Sequence, residues 1–324
     1  MNDMVRIRGG TFAMGSKRFY PEERPLRTVT VEDFEIDARP VTNDDFARFI
    51  HDTGYLTWAE REPVAWPSGP MLGSMVFARP TTAPTAGDPA DWWSFVEGAC
   101  WHRPLGPGST LKGLGQHPVV HVAYEDALSY ARWAGKVLPT EPQWEFAARG
   151  GLEDAEYAWG HTLEPDGAVL ANYWQGLFPH ENTLRDGWER TSPVGHFPPN
   201  GYGLWDMIGN VWEWTCTPWQ LPAPAAGSCC RTAGNADPSC HDGTGRAPEE
   251  RVIKGGSHLC ARNYCQRYRP AARHPQAVDS PTGHIGFRCV RHQQGAASAR
   301  VTGTARETMQ AQAGRPRAAV RDAR

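Results

Sequence analysis

The stretch Asn200-Gly201-Tyr202-Gly203-Leu204-Trp205-Asp206-Met207-Ile208-Gly209-Asn210-Val211-Trp212-Glu213-Trp214 sets three glycines and three tryptophans within fifteen residues. It holds no long helical or strand period and reads as turn, loop and short strand. The same character runs through the whole chain, which has 34 Gly, 28 Pro and 14 Trp in 324 residues and only 21% charged side chains. So many backbone punctuators imply a loop-rich fold. The tryptophans supply burial that long helices or regular sheets would otherwise provide.

Outward from that stretch, regular elements are few and short. Met4-Val5-Arg6-Ile7 and Arg27-Thr28-Val29-Thr30-Val31 read as strands within residues 4–14 and 26–37. Thr42 is an N-cap for a helix with Phe46, Phe49 and Ile50 on one face. A second helix fits 124–135, with Ala127, Leu128, Ala131 and Ala134 inward and Gly135 as the stop. A third fits 141–149, capped by Thr140 with Pro142 in the first turn, where its missing N–H does little harm. Residues 61–115 are Pro/Gly/Trp-rich and irregular. One domain is expected over 1–292. Residues 293–324 are rich in Ala, Gly, Gln and Arg, contain no aromatic side chain, and are expected to be a disordered tail.

The formal net charge of −3 gives no basic field, so nucleic acid is not an expected partner. No apolar run is long enough for a membrane span, and none is expected. The first residues lack a secretory h-region. A cytoplasmic, reducing location and a monomer are therefore the expectation. The eight cysteines are at 100, 216, 229, 230, 240, 260, 265 and 289. Cys260 and Cys265, five residues apart, have three plausible uses: a disulfide, half of a zinc site, or a two-coordinate soft-metal site. Zinc normally takes four ligands. A dithiolate suits Cu(I). Arg262, Arg267 and Arg269 are expected to surround the pair with positive charge and favour thiolates.

Four segments together carry a family resemblance. They are Gly9-Gly10-Thr11-Phe12-Ala13-Met14-Gly15-Ser16 with Pro21-Glu22-Glu23-Arg24-Pro25; His117-Pro118-Val119-Val120-His121-Val122 through Leu138-Pro139-Thr140-Glu141; the 200–214 stretch; and Lys254-Gly255-Gly256-Ser257 through Gly286-Phe287-Arg288-Cys289. Over roughly residues 4–291 the chain resembles the formylglycine-generating enzymes, or sulfatase-modifying factors. The resemblance implies an α+β, loop-rich fold of modified C-type-lectin-like type. The first three segments mark only that wider superfamily. Cys260-Ala261-Arg262-Asn263-Tyr264-Cys265 carries the cysteine pair of its active members.

The resemblance further implies a copper-dependent oxidase. Cys260 and Cys265 would hold Cu(I). The substrate would be an unfolded sulfatase polypeptide, whose Cys-x-Pro-x-Arg cysteine becomes formylglycine using O2 and a thiol reductant. Ser257 and Trp212 match positions lining the oxygen and thiol pocket, and Tyr264 is a candidate for positioning. Two structural Ca2+ sites are implied, one from Asn172, Tyr173, Asp186 and Trp188, the other from Asp206, Gly209, Val211 and Glu213. Mixed carboxylates and carbonyls are the hard-oxygen ligands calcium takes. The positions of two disulfides in the animal enzymes fall on Ala131 with Cys289 and on Ala148 with Pro270, so both bridges are absent. The alternative activities are a non-catalytic binding module of the same fold, against which the cysteine pair argues, and an iron-dependent sulfoxide synthase, which would need a His-rich helical domain before residue 4.

Overall fold

The computed structural model describes residues 3–64, 69–80, 92–220 and 250–292. The expected tail and Cys229, Cys230 and Cys240 lie outside the described residues. Strands are short: β1 Met4–Ile7, β2 Gly10–Met14, β3 Arg27–Val31, β4 Phe34–Asp37, β5 Gly73–Phe77, β6 Trp93–Glu97, β7 Trp212–Pro218, β8 Glu250–Lys254, β9 Arg273–Ala277, β10 Ile285–Gly286 and β11 Val290–His292. The helices are α1 Asn43–Thr53, α2 Trp58–Arg61, α3 Tyr124–Trp133 and α4 Glu141–Arg149.

The three expected helices form for the reasons the sequence gives. Thr42 Oγ1 accepts the Asp45 N–H at the start of α1, and Gly54 closes it in the left-handed region. Thr140 and Gln143 form a reciprocal capping box on α4, which ends at left-handed Gly150. On α3 the buried face is Tyr124, Ala127, Tyr130 and Ala131, whereas Leu128 and Ala134 are half-buried. The region read as irregular also holds an antiparallel hairpin, β5–β6. Gly73 and Gly98 bound it with positive φ.

Among the described residues four small sheets result: β1-β4-β11, β10-β7-β8-β9, β2-β3 and β5-β6. In the four-stranded sheet β10 runs parallel to β7 and the other pairings are antiparallel. Tryptophans and other aromatics fill the space between them. Trp214, Phe46, Phe49 and Phe287 belong to the largest buried cluster, Trp144 with Phe34 to a second, and Trp92, Trp174 and Phe178 to a third. The 200–214 stretch ties these parts together. Asn200 donates to the Ala147 and Ala148 carbonyls at the end of α4 while its Oδ1 accepts the Tyr202 and Leu204 N–H groups. Trp214 Nε1 donates to the Val122 carbonyl at 3.1 Å.

Candidate metal and thiol site

The β10-β7-β8-β9 ladder aligns Ile285 with Trp212, Glu213 with Lys254, and Lys254 with Arg273. The first residue of β7, the last of β8 and the first residues of β9 and β10 therefore share one end of the sheet. Trp212, His274 and His284 lie at or next to that end, and the chain leaving β8 turns there through Gly255-Gly256 into Ser257. Both glycines have positive φ, at 94° and 72°. A Cβ on Gly256 would lie 2.7 Å from the Arg267 backbone, so the turn can be this tight only without a side chain.

The segment after Ser257 folds onto itself. Cys260 N–H donates to Ser257 O, and Cys265 N–H to Ala261 O at 2.9 Å, an α-turn that returns Cys265 over Cys260. Their sulfurs are 3.3 Å apart and both thiols are free. Trp174 N–H donates to Cys260 O, and Asn263 exchanges hydrogen bonds with both backbone groups of Phe178. The loop is thus pinned from two sides.

The two thiols differ in environment. Burial, together with the neighbouring Cys265, pushes Cys260 well above the ordinary thiol range. Cys265 is lowered to about 6, first by the hydrogen bond from Cys260 and then, against its own burial, by Arg267. Arg267 Nη1 donates to Cys265 Sγ at 3.6 Å, while its Nη2 pairs with Glu22 at 2.6 Å and the guanidinium stacks on Tyr20. The expected ring of three arginines is therefore reduced to one at the sulfurs. Arg269 pairs with buried Glu23 and lies over Phe19, and Arg262 is exposed. The expected pair of thiolates is likewise corrected to one thiolate and one thiol.

The sulfurs open on a cavity of about 280 Å³ lined by Trp92, Trp93, Phe178, Trp212, Ser257, Leu259, Cys260, Tyr264, Cys265, Arg267, His274 and His284. Ser257 is fully buried and its N–H donates to Cys260 Sγ at 3.4 Å. Trp212 stacks on His274 at 5.9 Å between centroids. Tyr264 is half-exposed and stacks on Phe178 at 4.7 Å. All five residues expected in the pocket are brought together there. Local spacing gave no signal for Trp92, Trp93, Phe178, His274 and His284, which arrive from β5–β6, the 170–190 loops and the sheet end. Burial holds His274 near 4 and His284 well below its usual value, so both are neutral imidazoles at pH 7. Two adjacent thiols, one already ionised, are a soft-donor set that fits Cu(I).

The oxygen clusters are unequal. Asp186 Oδ2 and the Tyr173 carbonyl both converge on the Gln175 amide nitrogen, while Asp186 Oδ1 takes the Trp188 N–H. Burial raises the Asp186 carboxyl. The Gln175 amide fills the point of convergence and the Asn172 amide nitrogen donates to the Arg190 carbonyl, so a hard cation would use these oxygens only by displacing Gln175. In the other set Asp206 accepts from Gly195 N–H and the Asn210 amide, and burial raises it to about 6. Glu213 enters differently: Arg288 grips both its oxygens and Trp144 Nε1 donates to Oε2 at 2.7 Å. Its charge is already balanced by a buried guanidinium, so Asp206 is the anion left to attract an ion there. The two sets abut, since Asn210 N–H donates to Asn172 O.

Fold and site together define a loop-rich α+β domain that presents a cysteine pair in an aromatic cavity. The chain belongs to the sulfatase-modifying factor enzyme 1-like family, whose model matches residues 1–293. A Mycobacterium tuberculosis protein named formylglycine-generating enzyme is 50% identical over 303 residues, covering 90% of this chain and 98% of that protein. A Bos taurus protein named inactive C-alpha-formylglycine-generating enzyme 2 is 38% identical, covering 89% and 87%. Among solved structures, PvdO from Pseudomonas aeruginosa shares the fold at a TM-score of 0.58 and 24% identity, covering 90% of this chain and 94% of that one.

Proposed function

We propose that this chain converts the cysteine of a Cys-x-Pro-x-Arg segment in a sulfatase into formylglycine, with Cys260 and Cys265 holding Cu(I), O2 as oxidant and a thiol as reductant. The observation that carries the reading is the pair of sulfurs 3.3 Å apart at the wall of the aromatic cavity. Relatives named as active and as inactive share the fold, so family alone does not decide activity. The cysteine pair supports the active reading. When bound, copper supplies the means of activating O2, which thiols alone lack.

The chain's own residues have definable tasks. The hydrogen bond from Cys260, and after it Arg267, hold Cys265 ionised near neutrality, so one metal ligand needs no proton removed. The Ser257 N–H supports charge on Cys260 once its proton has left. Trp212, Trp92 and Phe178 wall the cavity with apolar surface, which excludes water from the reacting thiol. Half-exposed Tyr264 stands at its rim as the contact for an incoming extended peptide. A cysteine inside a folded client could not reach the sulfurs, so the substrate is an unfolded segment. The Asn172/Asp186 and Asp206 sets would hold Ca2+ as structural ions. The chain is read as an independent catalytic domain over 1–292, monomeric and cytoplasmic.

The test is incubation of the protein with Cu(I), a dithiol, air and a peptide containing Cys-x-Pro-x-Arg, followed by mass spectrometry. The expected product has lost one sulfur and two hydrogens and gained one oxygen at the cysteine. An unchanged peptide under copper-replete conditions would overturn the reading.

A further inference from the structure

A second cluster of metal-ligating side chains lies apart from the thiol pair. Cys100 Sγ is 3.4 Å from His102 Nδ1, and His102 Nδ1 is 3.6 Å from Glu60 Oε1. One ligand atom from each of the three residues lies within 4.8 Å of the others. Ligands on adjacent corners of a tetrahedral zinc, at its usual bond lengths, are separated by about 3.3–3.6 Å. Both separations match those edges.

The local fold presents these atoms by design of the backbone. Cys100 and Arg103 exchange both backbone hydrogen bonds, so Cys100 and His102 sit on one tight turn directly after β6. The Trp101 ring packs edge-on against the imidazole at 5.2 Å. Glu60 is held from behind: its Oε2 accepts both the N–H and the hydroxyl of Thr57 in the capping box of α2, which leaves Oε1 toward His102. Neighbouring Arg61 is occupied by Glu125 and Glu62. Cys100 is buried, while the side chains of His102 and Glu60 are 36% and 20% exposed, so an ion and a completing water have access from one side.

We propose that Glu60, Cys100 and His102 form a binding site for Zn2+ or a similar borderline divalent ion, distinct from the Cys260/Cys265 pair and independent of its function. One thiolate, one carboxylate and one neutral imidazole balance the 2+ charge, and the thiol proton passes to solvent on binding. The ion staples the turn after β6 to α2. Because β6 begins at Trp93, which lines the catalytic cavity, the staple fixes the far end of the hairpin that forms one cavity wall.

The test uses the full chain carrying Cys260→Ser and Cys265→Ser, so that the other pair cannot bind. Co2+ is added as a spectroscopic stand-in for zinc, and thiolate-to-cobalt charge-transfer absorption and stoichiometry are read. One equivalent of Co2+ with that absorption, displaced by Zn2+, is expected. Adding Cys100→Ser should abolish the absorption, and adding His102→Ala, at a half-exposed position that tolerates truncation, should reduce the bound metal to none at micromolar concentration. Absence of the absorption in the starting protein, or its persistence in both added variants, would overturn the proposal. Persistence would place the ion on other cysteines of the chain.

Discussion

Arg267 donates to the sulfur of Cys265 but not to that of Cys260, although the two sulfurs are only 3.3 Å apart. The pair is thereby polarised. Burial favours the neutral form of Cys260, and the hydrogen bonds of Cys265 with Cys260 and with the guanidinium of Arg267 favour its charged form. Cys265 has a folded-state value below its ordinary one, so its ionisation stabilises the fold at high pH and that contribution fades as pH falls through about 6. Alkylation of the reduced, metal-free protein followed by peptide mapping should therefore modify Cys265 first, with a rate midpoint near pH 6. Arg267→Leu should move the midpoint upward and slow the reaction at neutral pH. Faster modification of Cys260 would contradict the assignment.

Much of this was legible in the sequence, and the limits have physical causes. The caps at Thr42 and Thr140 and the stop at Gly135 are local chemistry, so three helices could be placed from their own residues. The cysteine pair was likewise local, because an α-turn spans its five-residue separation. Trp92, Trp93, His274 and His284 were not legible as site residues. They reach the cavity through the register of β7–β10 and the β5–β6 hairpin, and pairing partners are not encoded in neighbouring residues. The charge environment failed for a related reason. Three arginines near the pair in sequence suggested three cations at the sulfurs, but Arg269 is captured by Glu23, almost the whole chain away. Glu60 with Cys100 and His102 went unseen because their spacing crosses two elements.

On the proposed reading of the oxygen clusters, calcium removal should lower thermal stability without altering the thiol chemistry. The oxygens of Tyr173 and Asp186 converge in a region with little regular structure, and Asp206 is buried with its carboxyl raised by burial. An ion bound only to the folded state at a hundredfold excess over Kd adds about 2.7 kcal/mol. Each kcal/mol corresponds to roughly 2–4 °C in a domain of this size. Chelation should thus lower Tm by several degrees, with restoration by Ca2+, and Asp186→Ala should abolish part of the response. An unchanged Tm after exhaustive chelation would remove both ions from the account.

Beneath the site, Lys254 is fully buried with Nζ 3.0 Å from Glu145 and 3.6 Å from Glu141, whose other partners are Arg149 and Arg273. Burial opposes charge on Glu145, but Lys254 and Arg149 outweigh it and its value is lowered. The sign follows: this carboxylate stabilises the fold above the ordinary carboxyl range, and the contribution is lost as pH falls through the lowered value. Lys254→Met leaves the carboxylates undercompensated and should destabilise by about 3–5 kcal/mol in urea titration. Because Lys254 leads directly into Gly255-Gly256-Ser257, the variant should also loosen the Cys260 loop, read as faster alkylation of Cys260. A variant as stable as the parent would show that Arg149 and Arg273 suffice.

Cys260, Cys265 and Cys289 should separate cleanly by role. On the proposed reading Cys260 and Cys265 are the protein's two soft ligands, so replacing either by Ser exchanges a thiolate for a hard, protonated hydroxyl. Each variant should lose Cu(I) affinity and peptide conversion by orders of magnitude. Their other effects should differ. Cys265→Ser removes the partner that accepts from Cys260 and leaves Arg267 with Glu22 alone, whereas Cys260→Ser keeps the Arg267–Cys265 contact. Cys265 in that variant should still alkylate, because Arg267 still donates to its sulfur. Cys289 is fully buried in the main cluster, and burial, with Asp37 nearby, pushes its thiol well up. Cys289→Ser buries a hydroxyl there and should lower stability by about 1–3 kcal/mol if it finds no acceptor. Copper stoichiometry and turnover of the folded protein should be unchanged. Copper titration, peptide conversion and urea unfolding of the three variants together check the scheme. A fully active Cys260→Ser or Cys265→Ser protein would show that the metal site lies elsewhere, and loss of copper on Cys289→Ser with the fold intact would place it at the third thiol.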